Sequence, residues 1–226
     1  MKSLHLRAFL SAIIGFVSFF AVVFVPAGTL NYWRGWAFFL TLAVCTSLAT
    51  IYIALHDKKL LESRMKMGPT AEKTTVQKIL TALGAPLFIA AVVIMVLDHR
   101  FGWSPAIPDI ASILGDGLAA LGILIYFFVV KENRYAAAAV QVVAGQTVVS
   151  SGPYAIVRHP MYAGAILVFI GMPLALGSSW GFLFVLVFII VFAIRLLDEE
   201  KYLSKNLAGY TEYMRKVHYR LAPYVW

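Results

Sequence analysis

Long apolar stretches separated by short polar or basic segments organise this chain. Crossing the hydrocarbon core takes about 20 mostly apolar residues in a helix. Four stretches come near that length singly, at about 8–25, 33–55, 79–97 and 110–130. A further one, about 161–197, is too long for one helix, and Pro173 with the run Gly177-Ser-Ser-Trp-Gly181 divides it into a hairpin of two short helices. The apolar residues come in runs rather than in alternation, which argues against a membrane β-barrel. The pattern predicts an all-α polytopic membrane protein with about six membrane-crossing helices, the last two a helical hairpin. Beyond Lys201, the residues Leu203, Leu207, Tyr210, Met214 and Val217 recur at helical spacing, predicting an amphipathic interfacial helix. The aromatic end, Tyr219 to Trp226, is expected at the membrane–water interface.

Composition agrees with this reading. The 226 residues are 61% hydrophobic and 13% charged, with a mean hydropathy of +0.82, whereas a soluble domain has roughly 25% charged residues. The net charge of +8 would suggest nucleic acid in a soluble protein. Here its distribution reports topology. With six crossings, 17 of the 19 Lys and Arg fall on one side: the N-terminus (Lys2, Arg7), the second loop (Lys58 to Lys78, Lys66 included), the fourth loop (Lys131, Arg134, Arg158) and the C-terminal tail. Only Arg34 and Arg100 remain opposite. The positive-inside rule then puts both termini in the cytoplasm, and no nucleic-acid partner is needed. The first helix, although basic at its start, has no A-x-A site after it and is read as uncleaved. A bacterial inner membrane is compatible with so compact a chain. The single cysteine, Cys45, lies inside the second helix and precludes an intramolecular disulfide or a cysteine-based zinc site. No metal is expected.

Polar residues are scarce, so their clustering is informative. The first 130 residues hold no constellation that suggests a reaction. Asp116, the one acid within an apolar run, reads as a capping or interfacial residue. Residues 140–149 are β-branched and weakly alternating, predicting extended chain with a turn at Ala144-Gly145. Ser150 to Tyr154 is a turn, and Pro160 suits the first position of the fifth helix. Arg158 and His159 therefore precede a helix N-terminus, where free N–H groups suit an anion; alternatively they anchor a helix end at the lipid heads. The second cluster is Arg195-Leu-Leu-Asp-Glu-Glu200 at the end of the sixth helix. Arg195 and Glu199 share a face and can pair, while Glu200 points about 100° away. Three acids at a helix C-terminus oppose its dipole, so a cation is expected to offset them, either Arg195 and Lys201 or a bound ligand. Should the clusters meet, anion-binding groups, acids and the aromatic faces of Tyr154 and Tyr162 would suit a zwitterion carrying a sulfonium. Tyr210 and Tyr213 read as interfacial belt residues.

The string Gly152-Pro-Tyr-Ala-Ile-Val-Arg-His-Pro-Met-Tyr162, a hairpin, and then Arg195-x-x-x-Glu199-Glu200 form a specific combination. It resembles the integral-membrane methyltransferases that include isoprenylcysteine carboxyl methyltransferase and the phospholipid methyltransferases. Gly209-Tyr-x-x-Tyr213 fits the same pattern. The resemblance covers about residues 134–226, and the first four helices match only in hydropathy. It implies a single membrane domain over 1–226, with a four-helix frame (1–130) and a catalytic part (131–226). It implies S-adenosyl-L-methionine as methyl donor, bound at the cytosolic face and covered by the C-terminal segment. Carried over, the cofactor's neighbours are Gln141, Gln146, Thr147, Val148 and Val149 (largely through backbone), Tyr154, His159, Pro160, Met161, Tyr162, Glu199 and Glu200. Arg195 would face and bind the acceptor, with Arg195 and Glu199 as the catalytic pair. Gln146 departs from the His common in eukaryotic carboxyl methyltransferases. The implied acceptor is lipophilic, with a prenylcysteine-like carboxylate favoured and an amino-lipid or small thiol as alternatives. A transporter, a non-catalytic scaffold and a reductase of the sterol type using NADPH are the readings from other classes.

Overall fold

The structure, a computed structural model, describes residues 2–65, 68–136 and 138–226; Lys66 of the basic second loop lies outside them. Among the described residues it is helical without strands. Helices α1 (Lys2–Ala27), α2 (Trp33–His56), α4 (Thr75–Phe101), α5 (Asp109–Glu132) and α7 (Gly181–Asn206) are each long and apolar enough to cross a membrane. Helix α3 (Lys58–Met65) lies between α2 and α4. Helix α6 (Pro160–Leu176) is apolar but has only 17 residues, about 25 Å at 1.5 Å per residue, shorter than the core it enters. A short helix α8 (Tyr210–Lys216) follows α7. The chain is a polytopic integral membrane protein; among the described residues it has five long apolar helices and one short one, and α6 and α7 form the expected hairpin.

The hairpin turn has a local cause. Gly177 takes φ +76°, its N–H donates to Leu174 O at 3.1 Å and that of Ser178 to Pro173 O at 2.9 Å. This is the Schellman pattern, which meets the last free carbonyls with a left-handed residue that glycine adopts without steric cost. Helix α6 lies antiparallel on α5 at backbone contact. A Cβ added to Gly115 would lie 2.5 Å from Ala175 N and 2.6 Å from Gly171 O, and one on Gly122 would overlap the carbonyl of Gly164. Small residues permit such close approach, and in lipid that packing, rather than hydrophobic burial, holds helices together.

The two ends of the bundle differ. At one end, Arg34 is buried and donates to Ile107 O and, at 2.8 Å, to Asp109 Oδ1, while Arg100 donates to Pro26 O at 2.9 Å. The two cations of the sparse side thus tie loops together there. At the other end, Arg64 donates to Ala136 O, Glu72 accepts from Val140 N, and Arg158 lies against the carbonyls of Met214 and Val217. Leu4 and Ala8 pack in the same cluster as Leu60, Leu61 and Ala136. The N-terminal start, the 57–74 segment, the 131–159 segment and the C-terminal tail therefore share one end of the bundle.

Two expectations about helix ends are corrected. Helix α7 runs on to Asn206, so Asp198, Glu199 and Glu200 sit inside it rather than at its C-terminus, and the dipole argument does not apply to them. Asp116 lies in the body of α5, which begins at Asp109, so it caps nothing; its buried Oδ1 has no partner among the described residues.

Candidate active site

A cavity of about 300 Å³ opens at the basic end. Three sequence-distant segments converge on it: the irregular 138–149 loop, the run from Tyr154 to the start of α6, and one face of α7 continuing to α8. Gln141, Gln146, Thr147, Val148, Val149, Tyr154, His159, Pro160, Met161, Tyr162, Arg195 and Glu199 all line it. Glu200 does not.

The loop is shaped by its own turn. Gln146 N donates to Val143 O at 3.1 Å, Gly145 takes φ +74°, and the Gln146 side chain turns back to accept from Val143 N at 3.0 Å. The turn falls at Ala144-Gly145 as the sequence implies, although no strand forms around it. The backbone N–H groups of Thr147, Val148 and Val149 meet no acceptor among the described residues. Beside the loop, Pro160 opens α6 and holds His159 at φ −125°, outside the helix. His159 and Arg158 are both buried, and both face Glu200: Arg158 Nε is 2.7 Å and His159 Nε2 3.2 Å from Glu200 Oε1. Arg220 Nε donates to Glu200 Oε2 at 3.0 Å. The N–H groups of Arg158 and His159 donate to Tyr219 O and Arg220 O, each at 2.9 Å. Glu200 is thus the buried hub that fastens the C-terminal tail beneath the cavity, and Arg158 faces that carboxylate rather than an open anion site. The cations that offset Glu200 are Arg158 and Arg220, not Lys201.

Arg195 and Glu199 do not pair with each other. Each instead bonds the Tyr162 hydroxyl, which donates to Glu199 Oε2 at 2.7 Å and accepts from Arg195 Nε at 3.0 Å. The other guanidinium nitrogens go to α4 and the segment before it: Nη1 to Thr81 Oγ1 at 2.8 Å and Nη2 to Glu72 Oε1 at 2.7 Å. Nearby, Gln77 Nε2 donates to Arg195 O at 2.8 Å and to Asp198 Oδ2 at 3.1 Å. The first 130 residues therefore do supply site residues, namely Arg64 on the cavity wall and Glu72 and Thr81 behind Arg195. Their one sequence signal is an acid, Glu72, beside Lys73 in a mostly basic segment.

The tail also departs from expectation. Leu207, Tyr210, Tyr213 and Val217 are buried and pack on Val142, Val148 and Tyr154, so their helical spacing seals the cavity loop and not a lipid surface. Tyr210 and Tyr213 line the cavity, and Tyr213 Oη donates to Tyr154 O at 2.8 Å. Burial pushes the Tyr154 phenol up to about 12, and burial, followed by nearby Glu199, raises Tyr210 as well. These rings are neutral at physiological pH, and a neutral aromatic face suits a cationic ligand.

Residues 110–209 match the family model of phospholipid methyltransferases. The match covers 100 of the 226 residues and marks a likeness to that family. It takes in α5, so it begins further upstream than the string of motifs, and it ends before Tyr210. Of the cavity wall, the matched segment carries the loop, the start of α6 and the α7 face; Arg64, Tyr210 and Tyr213 lie outside it, as do Glu72 and Thr81. No curated protein matches the chain.

Proposed function

We propose that this protein is an S-adenosylmethionine-dependent methyltransferase whose acceptor is lipophilic and reaches the cavity from the bilayer. The observation that carries the proposal is the convergence of the loop, the α6 start and the α7 acid on one cavity, within a segment similar to a methyltransferase family. The lining suits each part of that cofactor. Glu199, whose Oε1 has no partner among the described residues, suits an ammonium group. The unpaired N–H groups of residues 147–149 suit a carboxylate, and the tyrosine faces suit a sulfonium. The volume lies at the lower end of small-ligand sites.

When bound, this cofactor supplies an electrophilic methyl group on a sulfonium. Displacement at that methyl needs an acceptor held in line more than it needs covalent help, so positioning supplies much of the acceleration. His159 is held by Glu200 and Tyr162 by Glu199 and Arg195, so both side chains meet a ligand in fixed orientations. A prenylcysteine-like carboxylate would take its place near Arg195. An amine acceptor is favoured by a separate observation: Glu72 sits 2.7 Å from Arg195 and compensates its charge, while Glu199 Oε1 is open to take the proton an amine loses. The charge asymmetry supports a cytoplasmic placement of this end of the bundle.

Calorimetry on detergent-solubilised full-length protein is expected to show saturable S-adenosylmethionine binding that S-adenosylhomocysteine displaces. Isotope-labelled cofactor with membranes and a panel of prenylcysteine, amino-lipid and thiol acceptors then identifies the product. A folded preparation that binds neither nucleoside would end the proposal.

A further inference from the structure

Glu72 stands outside the segment that matches the phospholipid methyltransferases, in the stretch leading into α4, and its side chain is 1% exposed. It does not line the cavity, yet it touches two walls of it. Oε1 accepts from Arg195 Nη2 at 2.7 Å and from Thr81 Oγ1 at 3.0 Å, and Oε2 accepts from Val140 N at 2.9 Å. Thr81 Oγ1 in turn accepts from Arg195 Nη1 at 2.8 Å. Arg195, Thr81 and Glu72 thus close a ring of three hydrogen bonds, fixed on its far side to the first residue of the loop's inner stretch.

This ring has an electrostatic consequence. Arg195 lines the cavity, but its counter-charge sits directly behind it in a site screened from water, where compensation is strong. Of the other cations on the wall, Arg158 faces Glu200, while Arg64 lies against neutral groups, the Tyr126 ring at 4.9 Å from its centroid, Ala136 O and Met161. Among the cavity-lining neighbours of Arg195 on α7 the remaining charge is Glu199, with one oxygen bonded by Tyr162 and the other without a partner among the described residues. We propose that Glu72 is a specificity-determining residue: by cancelling Arg195 it leaves the acceptor side of the cavity with the negative charge of Glu199, so that cationic and neutral acceptor heads are preferred over anionic ones. This rests on the methyltransferase reading above for the word acceptor, but the charge assignment itself concerns the side chains alone.

The test uses two amphiphiles with the same farnesyl tail, one ending in a primary amine and one in a carboxylate. Their dissociation constants are measured by calorimetry against full-length protein in detergent with S-adenosylhomocysteine present. Micelle partitioning cancels when the amine-to-carboxylate ratio is compared between variants. Glu72→Gln is expected to shift that ratio about tenfold or more toward the carboxylate, as an uncompensated unit charge a few ångströms away would. Arg195→Gln, which leaves Glu72 without its cation, is expected to shift it toward the amine. The double variant, with neither charge, returns to within about threefold of the unmodified protein. A merely structural role for Glu72 would weaken both ligands alike. Unchanged ratios in the folded single variants overturn the proposal. Should Glu72→Gln fail to fold, as loss of one partner of a buried pair can cause, Arg195→Gln and the double variant carry the same test. If the ratios shift while S-adenosylmethionine does not bind, the methyltransferase reading fails and the charge assignment stands.

Discussion

Glu199→Gln is expected to lower methyl transfer at least a hundredfold while leaving the fold intact. The two halves of this prediction come from the two oxygens of one carboxylate. Oε2 accepts the Tyr162 hydroxyl at 2.7 Å, and a glutamine carbonyl can accept the same bond, so the cost in stability is on the order of 1 kcal/mol or less. Oε1 has no partner among the described residues and Glu199 lines the cavity, so the substitution removes both a negative charge and a proton acceptor there. General-base assistance alone is worth about 10²–10⁴ in rate, and loss of an ammonium's counter-ion would add weaker cofactor binding. Separate measurement of kcat for transfer and of cofactor affinity distinguishes the two contributions. Transfer within threefold of the unmodified protein, in a variant with the same helical content, would remove Glu199 from the mechanism. Glu199→Asp, which withdraws the carboxylate by one methylene, should recover cofactor affinity more than rate, because an in-line displacement depends on distance.

The parts of this site that were legible in the sequence are those whose neighbours are close along the chain. Pro160 at the first position of α6 and the turn at Ala144-Gly145 follow from local backbone chemistry, and both stand as expected. Apolar runs of membrane-spanning length gave the helices for the same reason: in hydrocarbon, a backbone must satisfy its own hydrogen bonds. What was hidden depends on partners far away in sequence. Spacing put Arg195 and Glu199 on one face of α7, but spacing cannot weigh a local partner against Glu72, 123 residues distant, or Tyr162 from the neighbouring helix. The three acids after Leu197 looked like a helix end because charges usually leave the membrane there. Thr74 and Gln77 for Asp198, Tyr162 for Glu199, and Arg158 with Arg220 for Glu200 instead keep them within α7. The stripe from Leu203 to Val217 marked a face to be buried. Periodicity reports that a face is apolar; it does not report whether lipid or the 140–149 loop covers it.

The largest loss of stability is expected from a single methyl group at Gly122. Gly122→Ala places a Cβ on the carbonyl of Gly164 and 2.8 Å from Val168 Cγ2. The first of these is backbone, so no rotamer change relieves the overlap and α5 and α6 must separate. A cost of 2–4 kcal/mol is expected, in the upper range for one substitution. Gly117→Ala is the matched control, since nothing lies within 4 Å of its added Cβ. Helix propensity favours alanine at both positions by up to about 1 kcal/mol, so the difference between the variants isolates the packing. The separation should also reach the cavity. Asn133, which caps the end of α5, donates to Tyr154 Oη at 3.0 Å, and α6 begins at Pro160, directly after His159. Asn133 and the start of α6, both on the cavity wall, are therefore carried by this helix pair. Unfolding titrations in mixed detergent should show Gly122→Ala well below Gly117→Ala in midpoint, with weakened S-adenosylmethionine binding even where the variant remains folded. Equal midpoints for the two variants would mean that the pair tolerates a wider spacing, and that the glycine contacts do not hold the site together.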